Sequence, residues 1–164
     1  MSETTGTEVG EIDLAVVAFR DDGRWRLAEL PDSALESVES IAHELRRHVG
    51  DQDVAVGLIS VAEDFALVVR VQEESVRLLL SDATAASDWD LARSAVAHLG
   101  LHVGDEDDQT PAGDLGLLAD LGLSAHEMAA LLEDDELYPE EILGDLAEDL
   151  GFGADFDELV GIEE

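Results

Sequence analysis

Between residues 54 and 82 the apolar side chains alternate, and the breaks in that alternation are too short for anything but hairpins. Val54, Val56 and Leu58 mark one segment, Phe65, Leu67, Val69 and Val71 the next, and Val76, Leu78 and Leu80 a third. Only Ala62-Glu63-Asp64 and Gln72-Glu73-Glu74-Ser75 separate them. A period of two places alternate side chains on one face of a strand, and strands joined this closely must run antiparallel, since a parallel crossover needs about a dozen residues or more. Upstream, the apolar run Ile-Asp-Leu-Ala-Val-Val-Ala-Phe at 12–19 is followed by Asp22-Gly23 and a returning run at 25–30 that Pro31 ends. Gly23 accepts the positive φ of a tight hairpin turn. Between these two groups, Ser33-Ala-Leu-Glu36 fits a capping box, and Leu35, Val38, Ile41, Ala42 and Leu45 recur at helical spacing before Gly50. The pattern predicts an α+β fold: a five-stranded, mostly antiparallel sheet ordered as hairpin, helix, three-strand meander. Helices at 35–45 and 89–99 should cover one face, leaving the other partly wet.

The rest of the chain reads as short helices. Ser87-Asp-Trp-Asp90 opens one that carries Trp89, Ala92, Val96 and Leu99 on a common side. Leu99-Gly100-Leu101, Leu121-Gly122-Leu123 and Leu150-Gly151-Phe152 are stop signals, in which Gly takes a left-handed conformation and the next apolar residue packs back. Asp114 is placed to cap 115–121, Ser124-Ala-His-Glu127 is a second capping box ahead of Met128, Leu131 and Leu132, and Pro139 suits the first position of a helix bearing Ile142, Leu143, Leu146 and Leu150. A last segment puts Phe156, Leu159 and Val160 on one side. Helices this short do not persist alone. The expected organisation is a flexible tail at 1–10, a sheet domain at 11–103, an acidic link at 104–110, and an acidic helical segment at 111–164 that packs on the domain or forms a small lobe.

Charge divides the chain differently. All eight Arg lie in the first 93 residues, against 20 acids, whereas the last 71 residues carry 21 acids and no Lys or Arg, for a net charge of −33. Such a surface repels nucleic acid and anionic membranes and attracts basic protein. Disorder also requires low hydrophobicity, and 46% of the residues here are apolar. Lys and Asn are missing, as expected of a GC-rich genome. The absence of Cys excludes disulfides, thiolate metal sites and cysteine nucleophiles. With no membrane-length apolar run, a cytoplasmic location is expected.

No constellation of residues specifies a reaction. His43-Glu44 with His48 imitates a zinc-protease helix, but that chemistry needs His at i and i+4, and a spacing of five turns the second imidazole roughly 140° away. Asp105, Asp107 and Asp114 invite a calcium-loop reading, but counting an EF-hand from Asp105 puts Thr110 where Gly is required and Gly116 where Glu is required. No nucleophile elbow frames a Ser, and Gly113-Asp-Leu-Gly116 lacks the spacing and the Lys of a phosphate loop. Arg20, Arg24 and Arg26 beside Asp21 and Asp22 read as exposed ion pairs, and Trp25 and Trp89 as core-edge residues. The sharpest recognition feature is the run at 133–141, where six acids in nine positions surround Leu137, Tyr138 and Pro139. It reads either as a solvated interhelical loop or as an acidic rim around an aromatic anchor for a basic groove.

Several stretches, taken in order, carry a family resemblance. They are Asp13-Leu-Ala-Val-Val-Ala-Phe-Arg-Asp-Asp-Gly-Arg-Trp, Arg70-Val with Arg77-Leu-Leu-Leu-Ser-Asp-Ala-Thr-Ala-Ala, Pro111-Ala-Gly-Asp-Leu-Gly-Leu-Leu-Ala-Asp-Leu-Gly, and Leu137-Tyr-Pro with Leu150-Gly-Phe. From about residue 12 to residue 159 the chain resembles the tRNA adenosine deaminase-associated proteins of high-GC Gram-positive bacteria. The resemblance implies association with the deaminase and brings no catalytic residues. The deaminase signature itself needs two Cys, so this chain is not that enzyme.

The resulting expectation is a non-catalytic accessory protein without cofactor, metal or small-molecule ligand. It would bind a basic protein, the tRNA adenosine deaminase or related machinery, through Asp134, Asp135, Glu136, Tyr138, Glu140 and Glu141, with no direct contact to nucleic acid or membrane. Two alternatives stand beside it: a metal-dependent or hydrolytic enzyme using His43, His98, His102 or His126, and a general polyanion that mimics nucleic acid.

Overall fold

The computed structural model describes residues 12–21, 24–30, 37–47, 55–61, 65–72, 75–81, 90–98, 112–132, 139–154 and 156. Outside them lie the tail at 1–10, the Asp22-Gly23 turn, the Ser33 capping box, Gly50, Trp89, the Gly100 stop, the link at 104–110, the acidic run at 133–138, and Leu159 and Val160.

The strands are β1 (Ile12–Asp21), β2 (Arg24–Glu29), β3 (Ala55–Val61), β4 (Phe65–Gln72), β5 (Ser75–Leu80) and a two-residue β6 (Ala112–Gly113). Every pairing is antiparallel, and the spatial order is β2-β1-β3-β4-β5-β6. The α+β architecture read from the sequence is therefore present. The short β6 is an addition, and it follows from one glycine. Gly113 has a φ of 121°, and a Cβ there would collide with the Leu78 carbonyl oxygen. Without a side chain the backbone closes on β5, and the Asp114 amide donates to that same carbonyl at 3.0 Å.

Helix α1 (Val38–Arg46) begins after Ser37, whose hydroxyl accepts from the Ser40 amide at 3.2 Å. Its first amide, on Val38, donates to the Ser94 hydroxyl of α2 (Asp90–His98) at 2.7 Å, so one helix helps to cap the other. Val38, Ile41, Ala42 and Leu45 of α1 and Leu91, Ala92, Ala95 and Val96 of α2 bury one face of the sheet, against Val17, Ile59, Leu67, Val69 and Leu80.

The other sheet face is not wet. Val16, Ala18, Val56, Leu58, Ala66, Val68 and Leu79 form a second core with Leu117, Leu118, Leu123, Met128, Leu143, Leu146, Ala147, Leu150, Phe152 and Phe156. The small residues interleaved in β3 and β4 are themselves apolar, so these central strands are hydrophobic on both faces and need two covering layers. The second layer comprises α3 (Ala125–Leu132) and α4 (Pro139–Leu150), with a 3-10 turn (Ala119–Leu121) before them. The helix expected over 115–121 behind Asp114 does not form, since Asp114 closes a turn on the Gly116 amide and only Ala119–Leu121 is 3-10, but the other local signals act as the sequence implies. The Ser124 hydroxyl accepts from the Glu127 amide at 3.1 Å, the Glu127 carboxylate accepts from the Ser124 amide at 3.0 Å, and Pro139 opens α4. Gly122 and Gly151 take φ of 122° and 106°, and the Leu123 and Phe152 amides reach back to the Leu118 and Ala147 carbonyls. Phe152 then meets Trp25 of β2 with ring centroids 4.9 Å apart.

Candidate functional site

Helix α4 has two chemically opposite sides. Ile142, Leu143, Leu146, Ala147 and Leu150 are buried in the second core. Each exposed side chain described on the helix, at Glu141, Asp145, Glu148 and Asp149, is a carboxylate. Positions i, i+4, i+7 and i+8 share a helical face, so the four acids form one stripe of a single sign. Glu127 is exposed on neighbouring α3. Of the residues that the sequence singled out for partner binding, Glu141 lies on this stripe and Glu140 sits in the first turn of α4, whereas Asp134, Asp135, Glu136 and Tyr138 are outside the described residues. The sequence reading concentrated on the dense run and missed Asp145, Glu148 and Asp149, although the leucine spacing of the helix already placed them opposite its apolar side.

Beneath this layer lies the feature that the residue-by-residue reading overlooked. Arg70 and Arg77 stand directly opposite each other on β4 and β5, an arrangement that is repulsive unless it is neutralised. The neutralising groups come from the segment that has no cation of its own. Arg70 is only 2% exposed, and its guanidinium donates to both carboxylate oxygens of Asp120, at 2.6 and 2.9 Å, and to the Leu117 carbonyl at 2.5 Å. Arg77 donates through Nε to Asp114 at 2.7 Å and through its terminal nitrogen to the Gly116 carbonyl at 3.3 Å. The other Asp114 oxygen accepts from the Gly116 amide at 3.0 Å, which fixes the turn that carries these groups. A lone Arg inside the run Phe-Ala-Leu-Val-Val-Arg-Val was the available signal, because a buried guanidinium must find a carboxylate.

The Arg70 hydrogen bonds hold the Asp120 carboxyl below its ordinary range, with desolvation opposing them and the nearby charges of Arg70 and Arg77 adding to them. A carboxyl whose pKa is lower in the folded state contributes stability above its unfolded value, about 3.9, and loses it as pH falls through the folded value. Acid titration should therefore show a loss of stability below about pH 4 that Asp120→Asn reduces. Equal acid sensitivity in chemical unfolding of the two proteins would remove Asp120 from the cause.

The histidines named for the enzyme alternative are not brought together among the described residues. His43, His98 and His126 are exposed on three separate helices, and His102 lies outside the described residues. Among the described residues, no group of three or more His, Cys, Asp or Glu is assembled to hold a metal ion. No helix among them is long and apolar enough to cross a membrane.

Residues 13–153 match the Rv3753c-like tRNA adenosine deaminase-associated protein family. The chain belongs to this family. Protein Rv3753c of Mycobacterium tuberculosis (strain ATCC 25618 / H37Rv) is 38% identical over 141 residues, which cover 84% of this chain and 81% of that relative. No solved structure matches the chain. The resemblance drawn from the ordered motifs is thus correct at the level of the deaminase-associated family. The matched region takes in the sheet, both arginines with their acids, and all of α4.

Proposed function

We propose that this deaminase-associated protein is a non-catalytic accessory factor that binds the tRNA adenosine deaminase, or machinery close to it, through the acidic outer face of its C-terminal layer. The observation that carries this reading is the composition of α4, whose described exposed side chains are all acids while its other side is committed to the core. An enzyme that acts on tRNA must present basic groups to phosphates, and a protein polyanion can address the same groups. The stripe of Glu141, Asp145, Glu148 and Asp149 supports the reading, in which Asp134, Asp135, Glu136 and Glu140, close by in sequence, add further acids and Tyr138 an aromatic anchor.

Individual surface ion pairs contribute roughly 0–1 kcal/mol, so only several acting together can matter. Changing Glu141, Asp145, Glu148 and Asp149 together to Gln or Asn should weaken binding of the purified deaminase by about 10-fold near 0.1 M salt, mostly through slower association. Extending the change to Asp134, Asp135, Glu136 and Glu140 should weaken it further. The fold should survive, since exposed like charges repel one another. Unchanged affinity in the neutralised protein would exclude this face as the interface, and equal affinity of the unaltered protein for unrelated cationic proteins would favour the general-polyanion alternative.

A further inference from the structure

The segment that bears the acidic face contains no cation, yet it is fastened to the sheet by two. Arg70 and Arg77 hold opposite ends of one turn, at Asp120 and at Asp114. That turn runs close to both helices of the layer. A side-chain carbon at Gly116 would lie 3.8 Å from the Ala125 side chain at the start of α3, and one at Gly122 would lie 3.8 Å from the Asp149 carbonyl oxygen at the end of α4. Leu117 and Leu118, inside the turn, share the second core with Leu143, Leu146 and Leu150 of α4. A continuous path of hydrogen bonds and packed side chains therefore runs from a buried guanidinium, through the turn, to the helix that displays the carboxylates.

We infer that Arg70 is a positioning residue for the partner surface: by pinning the 114–121 turn to β4 it holds α4 in the orientation that presents Glu141, Asp145, Glu148 and Asp149. Its guanidinium does not reach the partner. The apolar contacts of the layer are non-directional and tolerate small shifts of α4, whereas a bidentate guanidinium–carboxylate pair fixes distance and angle together. Ordering the face before the encounter reduces what association must spend on ordering it. The inference rests on the binding role proposed above, but its first readout does not need the partner.

Hydrogen exchange of the intact free chain tests the pinning. Arg70→Met, which fills much of the same volume without a charge, should lower amide protection at 143–150 at least tenfold more than in β1 and β3, where protection should stay close to that of the unaltered protein. Asp120→Asn should produce a smaller loss at the same sites, and Arg70→Lys, which keeps the charge without the fork, should lie between. As a control, Leu91→Ala weakens the opposite core and should lower protection in the strands and in α4 together. Deaminase affinity, measured where every variant is fully folded, should fall about tenfold for Arg70→Met and stay unchanged for Leu91→Ala, a fall equivalent to about 1.4 kcal/mol. Uniform loss of protection in Arg70→Met would make Arg70 a stability residue only. Selective loss in α4 with unchanged affinity would show that pinning does not control presentation. If the unaltered protein does not bind the deaminase, the proposed function fails, while the pinning stands or falls on exchange alone.

Discussion

Replacing Asp120 by Ala should cost about 2–3 kcal/mol of unfolding free energy in a urea titration, more than replacing Arg70 itself by Met, which should cost about 1–2 kcal/mol. The order looks inverted for an exposed acid and a buried base, and burial explains it. Asp120 has a side chain 62% exposed, so when Arg70 is removed the carboxylate simply regains water. Arg70 is 2% exposed. Once Asp120 is gone, a buried guanidinium keeps the Leu117 carbonyl but loses the carboxylate that offset its desolvation. The cost stays below the ~3–5 kcal/mol of a wholly buried pair because water can enter where the Asp120 side chain stood. Methionine at position 70 abolishes that penalty altogether and sacrifices mainly the donor to Leu117. The double variant should therefore be no less stable than Arg70→Met, a coupling of about 2 kcal/mol. Strict additivity of the two losses would show that the pair does not act as a unit.

The same pair marks the limit of what the sequence disclosed. Strand alternation, the Ser124 capping box, Pro139 and the glycine stops at 122 and 151 are local signals, each set by a few neighbouring residues, and all describe the structure correctly. The second covering layer could not be read from local signals, because whether α3 and α4 pack on the sheet depends on contacts between residues far apart in the chain, such as Trp25 with Phe152. Val56, Leu58, Ala66 and Val68 pointed to it, since a strand apolar on both faces needs two covers. The acidity of the C-terminal segment obscured the point, as it suggested solvent exposure where one side of each helix is in fact core. Asp114 was visible only as a helix cap, and Asp120 only as part of a motif. That they answer Arg77 and Arg70 is a tertiary fact, 37 and 50 residues away respectively. Glu141 was legible as a surface acid. Its continuation along α4 required the helix to be seen with its buried side known.

Salt should move stability and binding in opposite directions, and the divergence should be large. The chain carries a net charge of −33 with no Lys or Arg beyond Arg93, so the folded state confines many like charges and is strained by their repulsion. At 0.1 M ionic strength the screening length is about 10 Å, long enough for neighbouring turns of α4 to repel one another, and at 1 M it is about 3 Å. Raising NaCl from 0.05 to 0.5 M should therefore increase the thermal midpoint by roughly 5 °C, equivalent to about 1–2 kcal/mol for a chain of this size. The Arg70–Asp120 pair is partly shielded from solvent ions by the burial of its guanidinium, so screening should weaken it less than it relieves the surface. Binding to the basic partner draws on the same carboxylates with the opposite sign, and affinity should fall by about 10–100-fold over that range through a slower on-rate. The variant with Glu141, Asp145, Glu148 and Asp149 neutralised should begin with a higher thermal midpoint, gain less from salt, and show a flatter salt dependence of binding. A thermal midpoint that fell with salt would mean that attractive pairs, not repulsion, dominate the surface of the folded chain. A binding curve indifferent to salt would place the interface on the apolar residues of the protein instead of on its acids.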